Sequence, residues 1–314
     1  LDLDHFKKVN DLYGHIVGDE LLAIVGKILT AELPPAAIVA RLGGDEFAAL
    51  IPDRRVAEDA AKKLVAILGV PISLNSGKTQ ISASAGVAFI QPSLEPTDVL
   101  RQADVAMYSV KRSGRNGAAI FDIEMERQLK NRVSFEEEIR KAIEADEFIP
   151  FFQPLISLDT GELNGFEVLA RWRSSSRGLV EPAEFIEIAE QSGQIGALSM
   201  RVMEKALTEA KQWPSHLKLA VNISPLQFRD PQLAERILAV LTRTGFPPQR
   251  LEVEITESSL MQDREQALTI VQSLRSSGVT IALDDFGTGY ASLSQLHALP
   301  FDRIKIDRSF INSL

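Results

Sequence analysis

The sequence predicts two domains of different class: an α+β domain of βαββαβ order on an antiparallel sheet, then an incomplete (β/α)8 TIM-like barrel whose first strand is antiparallel. Three observations predict this. The 314 residues exceed the ~100–150 of one typical domain. Up to residue 121, strand-like runs interleave with helical patterns and one hairpin. Beyond residue 147, strands that are apolar first and polar last alternate with helical stretches, the rhythm of a parallel α/β sheet.

In chain order, a strand stub at residues 1–4 leads into helical patterns to about Leu33. The run "AAIVARLGGDEFAALIPD" then reads as a β-hairpin whose tip holds Gly43, Gly44, Asp45 and Glu46. A helix over residues 54–68, the strand "TQISASAGVAFI", a helix over residues 96–112 and the short strand "AAIF" complete a first domain at 1–121. Residues 122–146 lack Pro and Gly, and Met125, Leu129, Val133, Ile139 and Ile143 recur at helical spacing among charges, as in a surface linker helix. The second domain, 147–314, opens with "FIPFFQPLISL" and "GELNGFEVLARW", joined by the hairpin signal Asp159, Thr160, Gly161. "LKLAVNIS", "RLEVEITE", "TIALDDFG" and "FDRIKID" follow. Six strands fall two strand–helix units short of a closed barrel, which needs eight strands and typically ~250 residues. A start at Leu1 rather than Met, inside a strand-like run, and a stop at Leu314 just after a strand read as a fragment cut at both ends.

Composition narrows the function. The absence of cysteine excludes disulfides, thiolate catalysis and Cys-built zinc sites, and is compatible with a cytoplasmic location. A net charge of -9 argues against general nucleic-acid binding, which needs clustered Lys and Arg. No run of 18 apolar residues could span a bilayer, so no membrane contact is expected from this stretch; tethering through a preceding region is left open.

The hairpin tip combines glycines, which admit positive φ and close backbone approach, with two hard oxygen ligands. Alone, such a tip is equally well explained as a solvated turn. The opening "LDLDHFKKVNDLYGHIVGDELL" adds Asp2 and Asp4 on one strand face, then Lys7, Asn10, His15 and Asp19 on a helix-loop-helix. Asp4 has a simple explanation as the cap of the following helix. Asp2 caps nothing, and facing Asp45 it suits a Mg²⁺ site of the kind used with nucleotide phosphates. "YSVKRSGRNG" groups Lys111, Arg112 and Arg115 at a helix end, where they complement the helix dipole or neutralise a triphosphate.

Through "LDLDHFKKVNDLYGH", "RLGGDEF" and "VKRSGRNG", in that order, the first domain resembles the GGDEF family of diguanylate cyclases, a nucleotide-cyclase-like fold. The resemblance implies that Gly43 and Gly44 admit GTP, and that Asp45 and Glu46 bind metal and activate the ribose hydroxyl. Asp2 and the Leu3 carbonyl would complete the ligands of one or two Mg²⁺ or Mn²⁺ ions. Lys7 would stabilise transition-state charge. Asn10 and Asp19 would read guanine, with His15 in the same substrate-binding set, and Lys111 and Arg115 would hold phosphates. Two GTP would join into cyclic di-GMP across a homodimer. The Arg-x-x-Asp of product-inhibited members is replaced by Pro34, Pro35, Ala36 and Ala37, so no inhibition site of that kind is expected.

In the second domain, Glu167, Asn222, Glu254, Asp284, Asp285, Lys305 and Asp307 stand near strand ends. Singly, each is more simply a cap or an ion-pair partner. Together, clustered carboxylates repel one another unless cations neutralise them, and a divalent pair ~3.5–4 Å apart would also clamp a phosphodiester for attack by water. Through "FFQPLISLDTGELNGFEVLARW", "VNISPLQF", "LEVEITES", "LDDFGTGYASL" and "FDRIKIDRSF" this part resembles the EAL family of cyclic di-GMP phosphodiesterases. The resemblance implies Glu167, Asn222, Glu254, Asp284 and Asp285 as ligands of two ions, and Lys305 as the residue that orients or activates water. Glu257 would steady the "DDFGTGYASL" loop. Gln153, Arg171 and Asp307 would contact the nucleotide, and again a homodimer is expected. Val168 replaces the family's Ala and should point away from Glu167, whereas the family's later metal-binding Glu and a Gln near its last strand would lie beyond Leu314, so the resemblance implies that this stretch by itself lacks part of the site. The alternative is a receptor that binds GTP or cyclic di-GMP without turnover.

Overall fold

A computed structural model describes residues 1–256, 263–286 and 301–306, the Asp285 side chain excepted. It divides into two compact units, Leu1–Arg132 and Val133–Leu314. Among the described residues no helix is long and apolar enough to cross a membrane.

The first unit runs β1 (Asp2–Asp4), α1 (Phe6–Tyr13), α2 (His15–Glu32), β2 (Ile38–Gly43), β3 (Glu46–Leu50) and α3 (Arg54–Leu68). It continues through β4 (Ile72–Leu74), β5 (Gly77–Thr79), β6 (Ser82–Val87), α4 (Pro96–Arg112) and β7 (Gly117–Ile120). Local chemistry sets these boundaries. The Asp53 carboxylate accepts the Arg55 backbone N–H and starts α3. Pro96, whose missing N–H costs nothing in a first turn, opens α4, and Asp98 in that turn and Lys111 and Arg112 in the last complement the helix dipole. In α2, Leu21, Leu22, Val25 and Leu29 bury one stripe, and with Leu3, Phe6, Leu68 and Ala83 they form the core.

The sheet order is β2-β3-β1-β6-β7, with β1 buried at its centre and antiparallel to both β3 and β6. The sheet is not wholly antiparallel. Strand β7 joins β6 in parallel, because α4 carries the chain back across the sheet as a crossover. This crossover packs hard: a Cβ on Gly86 of β6 would lie 1.9 Å from the Ala103 carbonyl oxygen in α4. The β4–β5 hairpin is an addition to the expected order. Helix α5 (Ile123–Glu144) follows, and the division between the units falls within it.

The second unit runs β8 (Phe148–Ile156), β9 (Leu163–Ser174), β10 (Gly178–Val180), α6 (Pro182–Gln191), α7 (Ile195–Ala210) and β11 (Lys218–Ile223). Then come α8 (Leu233–Thr244), β12 (Leu251–Thr256), α9 (Arg264–Ser276), β13 (Thr280–Phe286) and β14 (Arg303–Ile306). Strands β9, β11, β12, β13 and β14 are parallel neighbours in that order, and β8 pairs antiparallel with β9, as expected of the first strand. Among the described residues no pair closes this sheet on itself.

Seven strands are described here rather than six. The extra one, β10, pairs with Trp172–Ser174 and extends β9 to twelve residues, so Glu167 stands within a strand rather than at its end. Behind the sheet, Trp172 and Phe148 stack at 5.6 Å and Phe185 meets Phe148 edge-on at 5.2 Å. Burial of each such ring contributes about 1.5–3 kcal/mol. The Trp172 indole N–H donates to Glu147 at 2.9 Å.

Candidate functional site

Strand register assembles the site of the second unit. Glu167 pairs with Ala220, Asn222 with Glu254, Glu254 with Ala282 and Ala282 with Arg303. Because alternate residues share a face, Glu167, Asn222, Glu254, Asp284 and Lys305 fall on one side of the sheet. Val168 points the other way into the core, 5 % exposed. The Val-for-Ala difference therefore lies behind the site.

The contacts are close. The Lys305 ammonium lies 2.7 Å from Glu254, 3.1 Å from Asp284 and 3.2 Å from Glu167. Asn222 donates its amide to the other oxygen of Glu167 at 2.8 Å. Burial pushes the Glu254 carboxyl up to about 7, offset only in part by the Lys305 hydrogen bond. Burial works to lower the Lys305 pKa, but the Glu254 hydrogen bond and the three carboxylate charges outweigh it and hold the ammonium above the ordinary lysine range.

This donor set fits divalent cations. Its ligands are hard oxygens, as Mg²⁺ and Mn²⁺ require. Glu254 is 1 % exposed, and its Oε1 is buried without a hydrogen-bond partner, a lone pair that a cation would satisfy. Among the described residues no three acidic or imidazole groups stand close enough to share one ion as placed; the ammonium sits between the carboxylates instead.

Of the other expected contacts, Gln153 pairs directly with Glu167 across β8 and β9. Arg171 lies 3.1 Å from Glu181 and has its guanidinium 5.3 Å from the centre of the Phe151 ring. Glu257, Asp307 and the Asp285 side chain lie outside the described residues.

In the first unit, Asp2 pairs with Glu46, and the Leu3 N–H donates to the Asp45 carbonyl at 3.3 Å. The strand carboxylate and the hairpin tip are thus brought side by side. At that tip Gly44 has φ +51°, and a Cβ on either Gly43 or Gly44 would meet no atom within 4 Å, so the space above the tip is open. The Asp2 and tip oxygens are again a hard donor set suited to Mg²⁺ or Mn²⁺. Lys111, expected on phosphate, lies 2.7 Å from Asp2. Asn10 packs against Gly18, where a Cβ would stand 1.9 Å from the Asn10 amide oxygen. Lys7, His15, Asp19 and Arg115 are exposed.

Asp4 does not cap α1. The capping position is His5, left-handed and without a side-chain cap bond. Asp4 is 3 % exposed and accepts from the Ser82 and Ser84 hydroxyls, both at 2.8 Å, and from the Asn116 backbone N–H at 3.1 Å. Its strand direction carries it inward toward β6, away from the helix start. Sequence reasoning also passed over Glu252 and Arg303, which lie 3.0 Å apart on the same sheet face. The signal was the alternation in "EVE" and "RIK", which places each beside a site residue.

Comparison with known proteins follows the same division. The EAL domain family matches residues 136–314, and the family "Diguanylate cyclase, GGDEF domain" matches residues 1–117. The bifunctional diguanylate cyclase/cyclic di-GMP phosphodiesterase MucR of Pseudomonas aeruginosa is 38 % identical over 322 residues, covering 100 % of this chain and 47 % of that protein. The cyclic di-GMP phosphodiesterase PdeR of Escherichia coli is 37 % identical over 320 residues, covering 100 % of this chain and 48 % of that one. The chain thus spans less than half the length of these curated relatives. Among solved structures, the PaMucR phosphodiesterase in complex with c-di-GMP superposes with a TM-score of 0.54 at 36 % identity, over 56 % of this chain and 73 % of that one. The FimX EAL domain of Pseudomonas aeruginosa bound to c-di-GMP gives 0.51 at 28 % identity, over 56 % and 72 %.

Proposed function

The chain belongs to the EAL domain family, with a GGDEF domain ahead of the EAL match, and on that premise we propose that it both hydrolyses and synthesises cyclic di-GMP. The observation that carries the hydrolytic half is the convergence of Glu167, Glu254 and Asp284, from three parallel strands, on one lysine; the synthetic half is supported by the pairing of Asp2 with Glu46 at the hairpin tip.

For hydrolysis, Glu167, Asn222, Glu254, Asp284 and Asp285 hold two Mg²⁺ or Mn²⁺ ions. Bound there, such ions draw negative charge off the scissile phosphodiester. Lys305, at the centre of these carboxylates, orients or activates the attacking water. Gln153, beside Glu167, and Arg171 and Asp307 grip the nucleotide, while Glu257 steadies the loop that follows Asp285. The water oxygen joins phosphorus as one P–O3′ bond breaks, and the proton that water gives up ends on the departing 3′-oxygen, leaving the linear dinucleotide pGpG.

For synthesis, Asp2, the Leu3 carbonyl, Asp45 and Glu46 bind one or two of the same ions, Asp45 and Glu46 also activating the ribose hydroxyl. GTP enters over Gly43 and Gly44. Asn10, His15 and Asp19 hold the guanosine, Lys7 stabilises charge, and Lys111 with Arg115 takes the phosphates. Each 3′-hydroxyl attacks the other nucleotide's α-phosphorus and expels pyrophosphate, which requires two copies of the domain face to face.

The test is to incubate the full-length protein separately with cyclic di-GMP and with GTP, with Mg²⁺ or Mn²⁺, and to follow products. Linear dinucleotide from the first and cyclic di-GMP from the second are expected. Glu167→Ala should abolish hydrolysis alone and Asp45→Ala synthesis alone. Tight binding of cyclic di-GMP with neither nucleotide consumed would overturn the reading in favour of a receptor.

A further inference from the structure

Glu252 is a carboxylate only 4 % exposed, two residues before Glu254 on the same face of β12. Charges are almost never buried this deeply without a partner. Its partner is Arg303, whose guanidinium lies 3.0 Å from its Oε2. That contact is ionic rather than an aligned hydrogen bond, since the same Oε2 has no hydrogen-bond partner. Arg303 stands two residues before Lys305 on β14. The sheet therefore carries two parallel rungs, Glu252–Arg303 and Glu254–Lys305, each reaching across β13. Ala282 makes this crossing possible: it pairs with Glu254 on one side and Arg303 on the other, is fully buried, and has no side chain long enough to block either rung.

From this geometry we propose that Arg303 and Glu252 are positioning residues that set β14 in register and so deliver the Lys305 ammonium to Glu167, Glu254 and Asp284. The inference rests on the hydrolysis proposed above. The backbone ladder alone fixes β14 weakly. The strand has four residues, and its pairing with β13 shifts between Leu283 and Phe286. A one-residue slip would turn Lys305 to the opposite face. Without Arg303, moreover, Glu252 would be an uncompensated buried charge about 7 Å along the strand from Glu254, within the compass of the flexible lysine stem, and would compete for the ammonium. Arg303 satisfies Glu252 and leaves Lys305 to the site.

The test is a double-mutant cycle on the full chain with Glu252→Gln, Arg303→Met and the pair, reading kcat and KM for cyclic di-GMP, together with Arg303→Lys. Each single change should lower kcat about 10–100-fold with little change in KM, as expected for misplacement of a reacting group. The double variant should be no worse than Arg303→Met, and Arg303→Lys should recover much of the loss. A second readout is independent of turnover: in a crystal structure of Arg303→Met, Lys305 Nζ should have left Glu254. Folded single variants with wild-type kcat, or losses that multiply in the double variant, would overturn the proposal, as would an unmoved Lys305. A wild-type chain that leaves cyclic di-GMP intact sinks the hydrolysis reading instead, while the Lys305 position in the variant still decides this one.

Discussion

Replacing Asp4 with Ala removes the acceptor of three hydrogen bonds at the centre of the first unit. The donors are the Ser82 and Ser84 hydroxyls and the Asn116 amide, at 2.8, 2.8 and 3.1 Å. Hydrogen bonds to a charged group contribute roughly 1.5–3 kcal/mol each. Burying the carboxylate costs several kcal/mol, which returns part of that on deletion. Ser84 is fully buried, so its hydroxyl is left without water as well as without Asp4. The net loss for Asp4→Ala is then about 3–5 kcal/mol, and Asp4→Asn, which keeps one oxygen and the volume, should lose about half as much. The effect should reach Arg115 and Asn116, which sit at φ +65° and +50° and pay about 1–2 kcal/mol each for left-handed backbone. The Asp4 bond to the Asn116 amide offsets that strain. Hydrogen exchange at the Asn116 amide reads the bond directly, and urea unfolding of the chain reads the stability. Exchange at Asn116 unchanged in Asp4→Ala, with stability within about 0.5 kcal/mol of wild type, would refute the reasoning.

Other perturbations have equally defined outcomes. Gly18→Ala would drive a methyl to 1.9 Å from the Asn10 amide oxygen; the displaced amide should raise the KM for GTP at least about tenfold in the synthesis assay, and an unchanged KM would separate Asn10 from guanine. Trp172→Phe removes the donor to Glu147 and part of a ring 2 % exposed, so denaturant titration should show a loss of about 2–4 kcal/mol. The Arg177 hydrogen bond, against the opposing effect of burial, holds the Glu138 carboxyl below its ordinary value of 4.5. A depressed carboxylate stabilises above its unfolded pKa and loses that contribution as pH falls through the folded one. The stability gap between wild type and Arg177→Gln should therefore narrow on acidification below about pH 4.5, leaving the part due to the guanidinium over the Phe135 ring; the ion pair is partly exposed, so its share of the gap at neutral pH should be only about 0.5–1 kcal/mol.

The long elements were legible because their signals are local. Helices α3 and α4 fall at the residues where the Asp53 cap, Pro96 and the apolar periodicity place them. The four parallel strands after β9 follow from runs that are apolar first and polar last. Strands of three residues, β4, β5 and β10, carry too few alternations to register, and they form because a neighbour pairs them. The parallel joining of β7 depends on the path of α4, which no window of sequence contains. Glu167, Glu254, Asp284 and Lys305 were identifiable from motif position, and their convergence on one face follows from register. Asp4 was misread because a capping residue and a buried hub look alike before a helix. Glu252 and Arg303 escaped because each looks, in one dimension, like an ordinary charge on a strand. Only the fold puts them within 3.0 Å of one another, across an intervening strand.

The central claim is that carboxylates gathered around Lys305 direct water onto a cyclic dinucleotide. The most direct measurement is hydrolysis of cyclic di-GMP by the chain in ¹⁸O-water with Mg²⁺ or Mn²⁺, with the product weighed by mass spectrometry and Glu254→Gln run beside it. The account predicts linear dinucleotide carrying one ¹⁸O in its 5′-phosphate, abolished by Glu254→Gln and by chelation of the metal. Cyclic dinucleotide recovered intact from a saturated protein, or a labelled product still formed at the wild-type rate by Glu254→Gln, would contradict it.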